Sequence, residues 1–360
     1  IPQNYNPLGT RMAGTVRQPR ILFDFLAYDP RDGGFSTSIH ALCRASQVMP
    51  EFEFIILTSR RYAIDFAKYG HRVVAVPIPL KIRYFASLFV IPFLASSLRP
   101  DLVHYEISAR ATARGALTTA TVHDLYFIRD PSLHKQNFGG RLTDYYWRRI
   151  YLPSLKRLDR IRAISLATIA DLRTYVPNAP SSRLIYPSIE LPQEQADERR
   201  LPTAKSPLRI VFIGSIIPRK NIHFLLKALS IVKRPWRLDI IGNIWWGGGS
   251  LENFKNDGRI YIRGFIDDDM RDEVLSGAHL LISPSIYEGF GLPVAEAMAF
   301  SVPVMVSDIP VYREIAPIDA LFPLDDHQKL AGMIDSLDDA SYASLQDACH
   351  RAVQKFAPRH

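Results

Sequence analysis

Residues 280–296 read Leu280-Leu281-Ile282-Ser283-Pro284-Ser285-Ile286-Tyr287-Glu288-Gly289-Phe290-Gly291-Leu292-Pro293-Val294-Ala295-Glu296. The opening apolar run predicts a short strand inside a parallel sheet. A loop with Gly289 and Gly291 follows. Pro293 then opens a helix, since proline at the first helical position gives up an N–H that has no partner there. Strand, glycine loop and helix N-terminus in this order offer backbone N–H groups, around Gly289, Phe290, Gly291 and Leu292, to a phosphate. Glu288 precedes the turn, and Glu296 is expected in the first helical turn. Carboxylates accept hydrogen bonds from vicinal hydroxyls, so two of them suit a sugar at one end and a ribose at the other. In isolation the pair reads rather as two solvated glutamates on a surface loop, with Glu296 stabilising a helix N-terminus. The apolar strand before it and the glycines within it favour a ligand.

The same alternation runs outward on both sides. Towards the C-terminus, 293–300 reads as a helix and 303–307 as a strand. Towards the N-terminus, strands are expected at 260–262, 237–242 and 209–214, with helices at 221–233 and 270–278. A stretch at 187–207 holds four prolines, a charge run and few apolar residues, and reads as a linker. Before it come strands at 20–26, 52–57, 72–76, 102–104 and 119–123, with helices at 36–46 and 62–69. Short apolar strands alternating with helices predict two α/β units with parallel sheets. The expected divisions are 1–19, a loose lead-in; 20–188, a first Rossmann-like unit; 189–207, the linker; 208–342, a second Rossmann-like unit; and 343–360, a C-terminal helix crossing back toward the first. With residues 355–360 as the last of the sequence, that helix is expected to be short or truncated. Ligands in such sheets bind beyond the carboxyl ends of the strands, so a cleft between the units is expected.

Composition sets further bounds. The 360 residues are 47% apolar and 22% charged, as in ordinary globular proteins. Two cysteines make neither a disulfide framework nor a metal cage, and fit a reducing compartment. The N-terminus has no apolar core flanked by basic residues, so no signal peptide is expected. The longest apolar run, 84–95, is shorter than a membrane span and contains Pro92; it is read as a buried helix. Net charge is +8, and it is uneven: residues 1–190 carry an excess of positive charge and residues 191–360 a small negative one. A basic first half calls for an anionic partner.

Three further motifs lie at strand ends. Gly214-Ser215-Ile216-Ile217-Pro218-Arg219-Lys220-Asn221 leads into a helix, and Arg219 with Lys220 there makes a clamp for a diphosphate. Asp32-Gly33-Gly34-Phe35 lets a backbone come close to a ligand. Thr121-Val122-His123-Asp124-Leu125 sets His123 at a strand's carboxyl end, with Asp124 as local support. Phe265 and Ile266, together with residues 245–249, lie where a nucleotide base would be flanked. Asp267-Asp268-Asp269 reads as a helix cap rather than a metal site. No G-x-G-x-x-G follows the strands before Gly33 or Gly214, which argues against a nicotinamide-dependent oxidoreductase. Residues 138–162 mix aromatics with cations, and two readings stay open: a solvated helix face, or contact with an anionic membrane surface. No nucleic-acid module accompanies them.

The string from Glu288 to Pro310, EGFGLPVAEAMAFSVPVMVSDIP, resembles the donor-site signature of the retaining glycosyltransferase family 4. Residues 20–345 resemble that family in layout. The resemblance implies the GT-B fold, two Rossmann-like domains facing each other across a cleft. It implies a metal-independent, retaining hexosyltransferase that uses a nucleoside diphosphate sugar as co-substrate and no cofactor. The sites it implies are Lys220 and Arg219 on the diphosphate, Glu288 on the sugar, Glu296 on the ribose and His123 beside the transferred sugar. Gly33, Gly34, Gly214 and the loop from Gly289 to Leu292 would line the donor. The family commonly has an arginine directly after the glycine of its basic motif; this chain has Ser215, and Arg219 is read as the substitute. The leaving phosphate would help deprotonate the acceptor on the same face. VHDL and PRKN look most like members that transfer mannose from GDP-mannose to a saccharide or lipid-linked saccharide of a bacterial polysaccharide. A UDP-hexose transferase and a non-catalytic nucleotide-sugar-binding module are the alternatives. The expected location is the cytoplasm, peripheral at the inner face of the membrane, with no nucleic-acid partner.

Overall fold

The computed structural model describes residues 17–79, 83–129, 144–192, 201–202, 206–244 and 257–358. Residues 245–249, most of the lead-in and linker, and the start of the 138–162 stretch lie outside them. Among the described residues, thirteen strands form two sheets. The first contains β1 (Arg20–Phe25), β2 (Glu53–Ser59), β3 (Arg72–Val76), β4 (Leu102–Tyr105), β5 (Leu117–Val122), β6 (Arg160–Ala163) and β7 (Ser182–Leu184), in the order β3-β2-β1-β4-β5-β6-β7. The second contains β8 (Leu208–Ile213), β9 (Trp236–Ile241), β10 (Ile260–Gly264), β11 (Leu280–Ser283), β12 (Val304–Ser307) and β13 (Leu321–Phe322), in the order β10-β9-β8-β11-β12-β13.

The neighbouring strands pair in parallel. Ile21 of β1 stands in register with Phe54 of β2 and Leu102 of β4. Along β1, Leu22 enters one core and Phe23 and Phe25 the other, so both faces of this central strand are covered. Strand order reverses between β1 and β4, and again between β8 and β11. Loops leave these two points in opposite directions, and each opens a crevice at the carboxyl ends of the strands. The chain has the GT-B architecture, two such α/β layers joined across a cleft.

The helices needed below are α1 (Gly34–Gln47), α2 (Arg83–Leu98), α3 (Leu166–Tyr175), α4 (Ile222–Leu229), α5 (Asp268–Gly277), α6 (Leu292–Ala299), α7 (Pro310–Ile315) and α8 (Asp339–Val353). Three expectations need correction. The 84–95 run is helical within α2, but one face is open: Phe89 is 74% and Phe93 81% exposed. One sheet face can cover only one side of a helix that is apolar all round. The helix expected over 62–69 is Ala63–Ala67 after a tight turn at Arg60–Tyr62. The C-terminal helix begins at Asp339, and its buried Leu345, Cys349 and Val353 join the second core rather than the first sheet. Only beyond it does Phe356 reach back, accepting from the Ile189 N–H and packing on Tyr186. Among the described residues no helix is long and apolar enough to cross a membrane.

Candidate active site

The second crevice is built from the loops after β8 and β11. Lys220 and Arg219 arrive on the first, and Glu288 on the second. Glu288 is buried, with Lys220 Nζ 2.6 Å from one carboxylate oxygen and Arg219 Nη1 2.8 Å from the other. Ser285 Oγ donates to it at 2.7 Å. Arg219 Nη1 also donates to the Tyr287 carbonyl, and its guanidinium lies 5.1 Å from the centre of the Tyr126 ring. Burial alone raises the Glu288 carboxyl, but Lys220 and Arg219 outweigh it and bring it down to about 2. Burial pulls the Lys220 ammonium down, against the pull of Glu288. Two cations thus share the Glu288 carboxylate, and the Asp124 carboxyl also acts on Arg219: burial raises it and Arg219 opposes that.

Gly214 lies under this cluster. A Cβ there would sit 3.0 Å from Lys220 Cε, so the absence of a side chain lets the lysine lie flat across the end of β8. Gly291 is the N-cap of α6, and Pro293 is in its first turn, as the sequence predicts. Gly289 meets the other half directly: an added Cβ would overlap the His123 carbonyl oxygen. Only glycine permits that contact between the two halves.

His123 follows directly on β5. Its Nε2 lies 2.9 Å from Oε1 of Glu106, and the Phe35 ring meets its imidazole edge-on at 4.6 Å. Gly33 caps α1, which Gly34 opens. A Cβ on Gly34 would be 3.3 Å from Leu292 Cδ1, so the first glycine loop and the N-terminus of α6 touch across the cleft. The structure therefore brings Gly33, Gly34, His123, Gly289 and Leu292 to one boundary. Lys220, Arg219 and Glu288 stand together on the second half, beside that boundary.

Other expected residues sit differently. Glu296 is the fifth residue of α6, in its second turn, because the helix starts at Leu292. Its neighbour is Arg271 of α5, at 3.8 Å. Burial raises its carboxyl, with Arg271 acting against that. The Phe290 ring is buried in the second core against Phe356, so only its backbone can serve a ligand. Phe265 is exposed at the turn into α5, and Ile266 packs against the core. Asp267 caps α5 by accepting from the Met270 N–H.

Sequence reasoning passed over two residues. Glu106 stands just beyond β4, 1% exposed, at the first reversal point. A carboxylate immediately after an apolar strand end was its only signal. Tyr287 donates its hydroxyl to Asp171 at 2.6 Å and accepts from the Leu125 N–H at 3.1 Å, so it ties the two halves together. Glu314 of α7 caps the Leu166 N–H of α3 in the same way. The cavity at this junction, lined by Arg129, Asp171, Tyr287 and Pro310 among others, holds about 60 Å³. Ligand pockets measure roughly 300 Å³ or more.

The comparisons with known proteins divide at the linker. Residues 32–193 match the model of Glycosyltransferase Family 4, and residues 207–339 that of Glycosyl transferases group 1. The O-antigen chain mannosyltransferase RfbU of Salmonella typhimurium is 27% identical over 296 residues, 76% of this chain and 78% of that protein. The O-antigen chain mannosyltransferase B of Escherichia coli is 30% identical over 200 residues; the match spans 53% of this chain and about half (49%) of that protein. Among solved structures, sucrose-phosphate synthase from Thermosynechococcus elongatus superposes with a TM-score of 0.73 at 20% identity, over 94% of this chain and 95% of that one.

Proposed function

We propose, because the chain belongs to the group 1 and family 4 glycosyltransferases, that it moves a hexose with retention from a nucleoside diphosphate sugar to a saccharide or lipid-linked saccharide. GDP-mannose is the donor we favour, since RfbU and mannosyltransferase B both carry mannosyl transfer in their names. The setting we favour is the assembly of a bacterial polysaccharide such as an O-antigen. The division we propose keeps 20–188 as the acceptor unit and 208–342 as the donor unit.

The observation that carries this reading is the Lys220–Arg219–Glu288 cluster. In the transfer, negative charge builds on the leaving diphosphate. Lys220, Arg219 and the N-terminus of α6 stabilise it there, and donors already fixed in place do so without reorganising. Cations at this position remove the need for a metal to neutralise the phosphates. Glu288 holds both cations parallel before the donor arrives and then offers its carboxylate to sugar hydroxyls. Glu296 takes the ribose, and Arg271 swings aside or shares it. His123 lies beside the transferred hexose. The tight junction at Tyr287 implies that the halves part to admit the donor and close again over it.

The acceptor is expected at a membrane surface, from the cytoplasmic side. Phe89, Pro92, Phe93 and Ser96 lie on one open stripe of α2. The helix carries no acidic residue, and the exposed Arg99 follows it, while Arg83 at its start pairs with Asp29. An apolar stripe next to a cation fits the headgroup zone of an anionic bilayer.

The test is a thermal-shift panel with GDP, UDP, ADP and dTDP sugars, repeated with Glu296→Ala. GDP-mannose should raise the melting temperature most, and the substitution should erase the shift. Stabilisation by no nucleotide, or a shift untouched by the substitution, removes the donor-site assignment. A UDP sugar acting in its place moves the reading to a UDP-hexose transferase.

A further inference from the structure

We propose that Glu106 is a positioning residue for His123: its carboxylate accepts a hydrogen bond from the Nε2–H of that ring and leaves Nδ1 as the nitrogen open to a ligand. The proposal rests on the reading that the transferred sugar lies beside His123.

Glu106 is among the most buried charged side chains of the first sheet, at 1% exposure. An unpaired carboxylate there would cost several kcal/mol. It is instead surrounded by donors. Oε1 receives the Ser38 hydroxyl at 2.7 Å and faces His123 Nε2 at 2.9 Å; Oε2 faces His104 Nε2 at 3.0 Å. Burial raises the Glu106 carboxyl, and the two histidines outweigh that and hold it well below the usual range. An ionised carboxylate has no proton to give. The proton between Glu106 and His123 therefore sits on Nε2, which makes Nδ1 of the neutral ring a lone-pair acceptor. Among the described residues Nδ1 has no hydrogen-bond partner.

The ring is also fixed in position. Phe35 packs on it edge-on. Its backbone carbonyl is covered by Gly289 and accepts from Thr168 Oγ1 at 3.2 Å. Ser38 and Phe35 both belong to α1, directly after Gly33 and Gly34. Glu106 thus ties the glycine loop, α1 and His123 into one unit. The group is not a cation cage, since the described residues contain no three ligands spaced for a metal.

A simpler role would be to hold α1 on the sheet through Ser38. The experiment separates the two. Long-range nitrogen–proton spectra of the full chain labelled at histidine would be recorded near about pH 8, where an ordinary ring is neutral, with His123→Gln assigning the signal. Wild type and Ser38→Ala should both show His123 as the Nε2–H tautomer. Glu106→Gln, which keeps the shape but loses the charge, should show an Nδ1–H population. Its kcat should fall about tenfold, the rate equivalent of about one misplaced hydrogen bond to the sugar, with nucleoside diphosphate affinity unchanged and part of the rate restored in Glu106→Asp. A wild-type ring in the Nδ1–H form or in a mixture overturns the proposal. So does a Glu106→Gln chain with the wild-type tautomer and rate. A wild-type chain that turns over no nucleotide sugar overturns the glycosyltransfer reading instead, and the tautomer spectra then decide the role of Glu106 by themselves. They need no variant that folds poorly.

Discussion

At the scale of single residues, charge placement dominates the site. Glu288 pairs with two cations, and its carboxyl is held at about 2. A carboxyl whose folded pKa lies below its unfolded one stabilises the fold above the unfolded value, and that stability fades as pH falls toward the folded value. The window here is from about 4.5 down to about 2, and the full effect is on the order of 3 kcal/mol. In denaturant titrations, Glu288→Gln should therefore be clearly less stable than wild type at pH 6, with a gap that closes steadily as the pH drops toward 2.5. A gap that stays constant over that range would show that the pairing does not stabilise the fold. The residues singled out in the sequence sit in unlike surroundings for a physical reason. Lys220, Arg219 and Glu288 carry charge and stand in loops after strands, so their chemistry is visible in their type. Phe290 stands in the same loop, but its ring follows apolar contacts into the core.

At the scale of elements, strands buried on both faces are legible as apolar runs, and β1, β8, β9, β11 and β12 were read in that way. β6 reads Arg160-Ile161-Arg162-Ala163, where arginines alternate with apolar residues and hide the strand. β7 and β13 are edge strands of three and two residues, paired on one side only, and need little apolar character. α2 shows the opposite error: its composition suggested burial, yet Phe89 and Phe93 face outward. If that stripe enters a bilayer, Phe89→Ser with Phe93→Ser should weaken co-sedimentation with phosphatidylglycerol vesicles by more than about tenfold, given roughly 1.5–3 kcal/mol per buried phenylalanine. The melting temperature should hardly change. Wild-type protein that ignores such vesicles, or a double variant that binds them equally, would remove the stripe from the interaction.

At the scale of the molecule, the two halves are joined by a few specific contacts. Tyr287 bridges Asp171 and Leu125, Glu314 caps α3, and Gly289 touches His123. The cavity beside Tyr287 is itself far smaller than an ordinary ligand pocket. Tyr287→Phe removes one hydroxyl and leaves Asp171 and the Leu125 N–H without it. We expect a loss of about 1–3 kcal/mol and a larger radius of gyration by small-angle X-ray scattering without nucleotide. An unchanged profile and stability would mean that other contacts set the closure.

The sequence by itself determined the two α/β units, the glycine loop at the N-terminus of α6, and the charged residues that stand at the strand ends. Those features are local: apolar runs, a proline at a helix start, and charge type at strand ends act within a few residues of chain. Only the tertiary structure decided which of those charges meet. Lys220 and Glu288 are 68 positions apart and share one ion pair because β8 and β11 are neighbours in the sheet. Glu106 and His123 meet because β4 and β5 are neighbours, and Gly289 reaches His123 because the halves close on each other. Strand order and closure arise from burying two whole sheets, and no short stretch of chain carries that information.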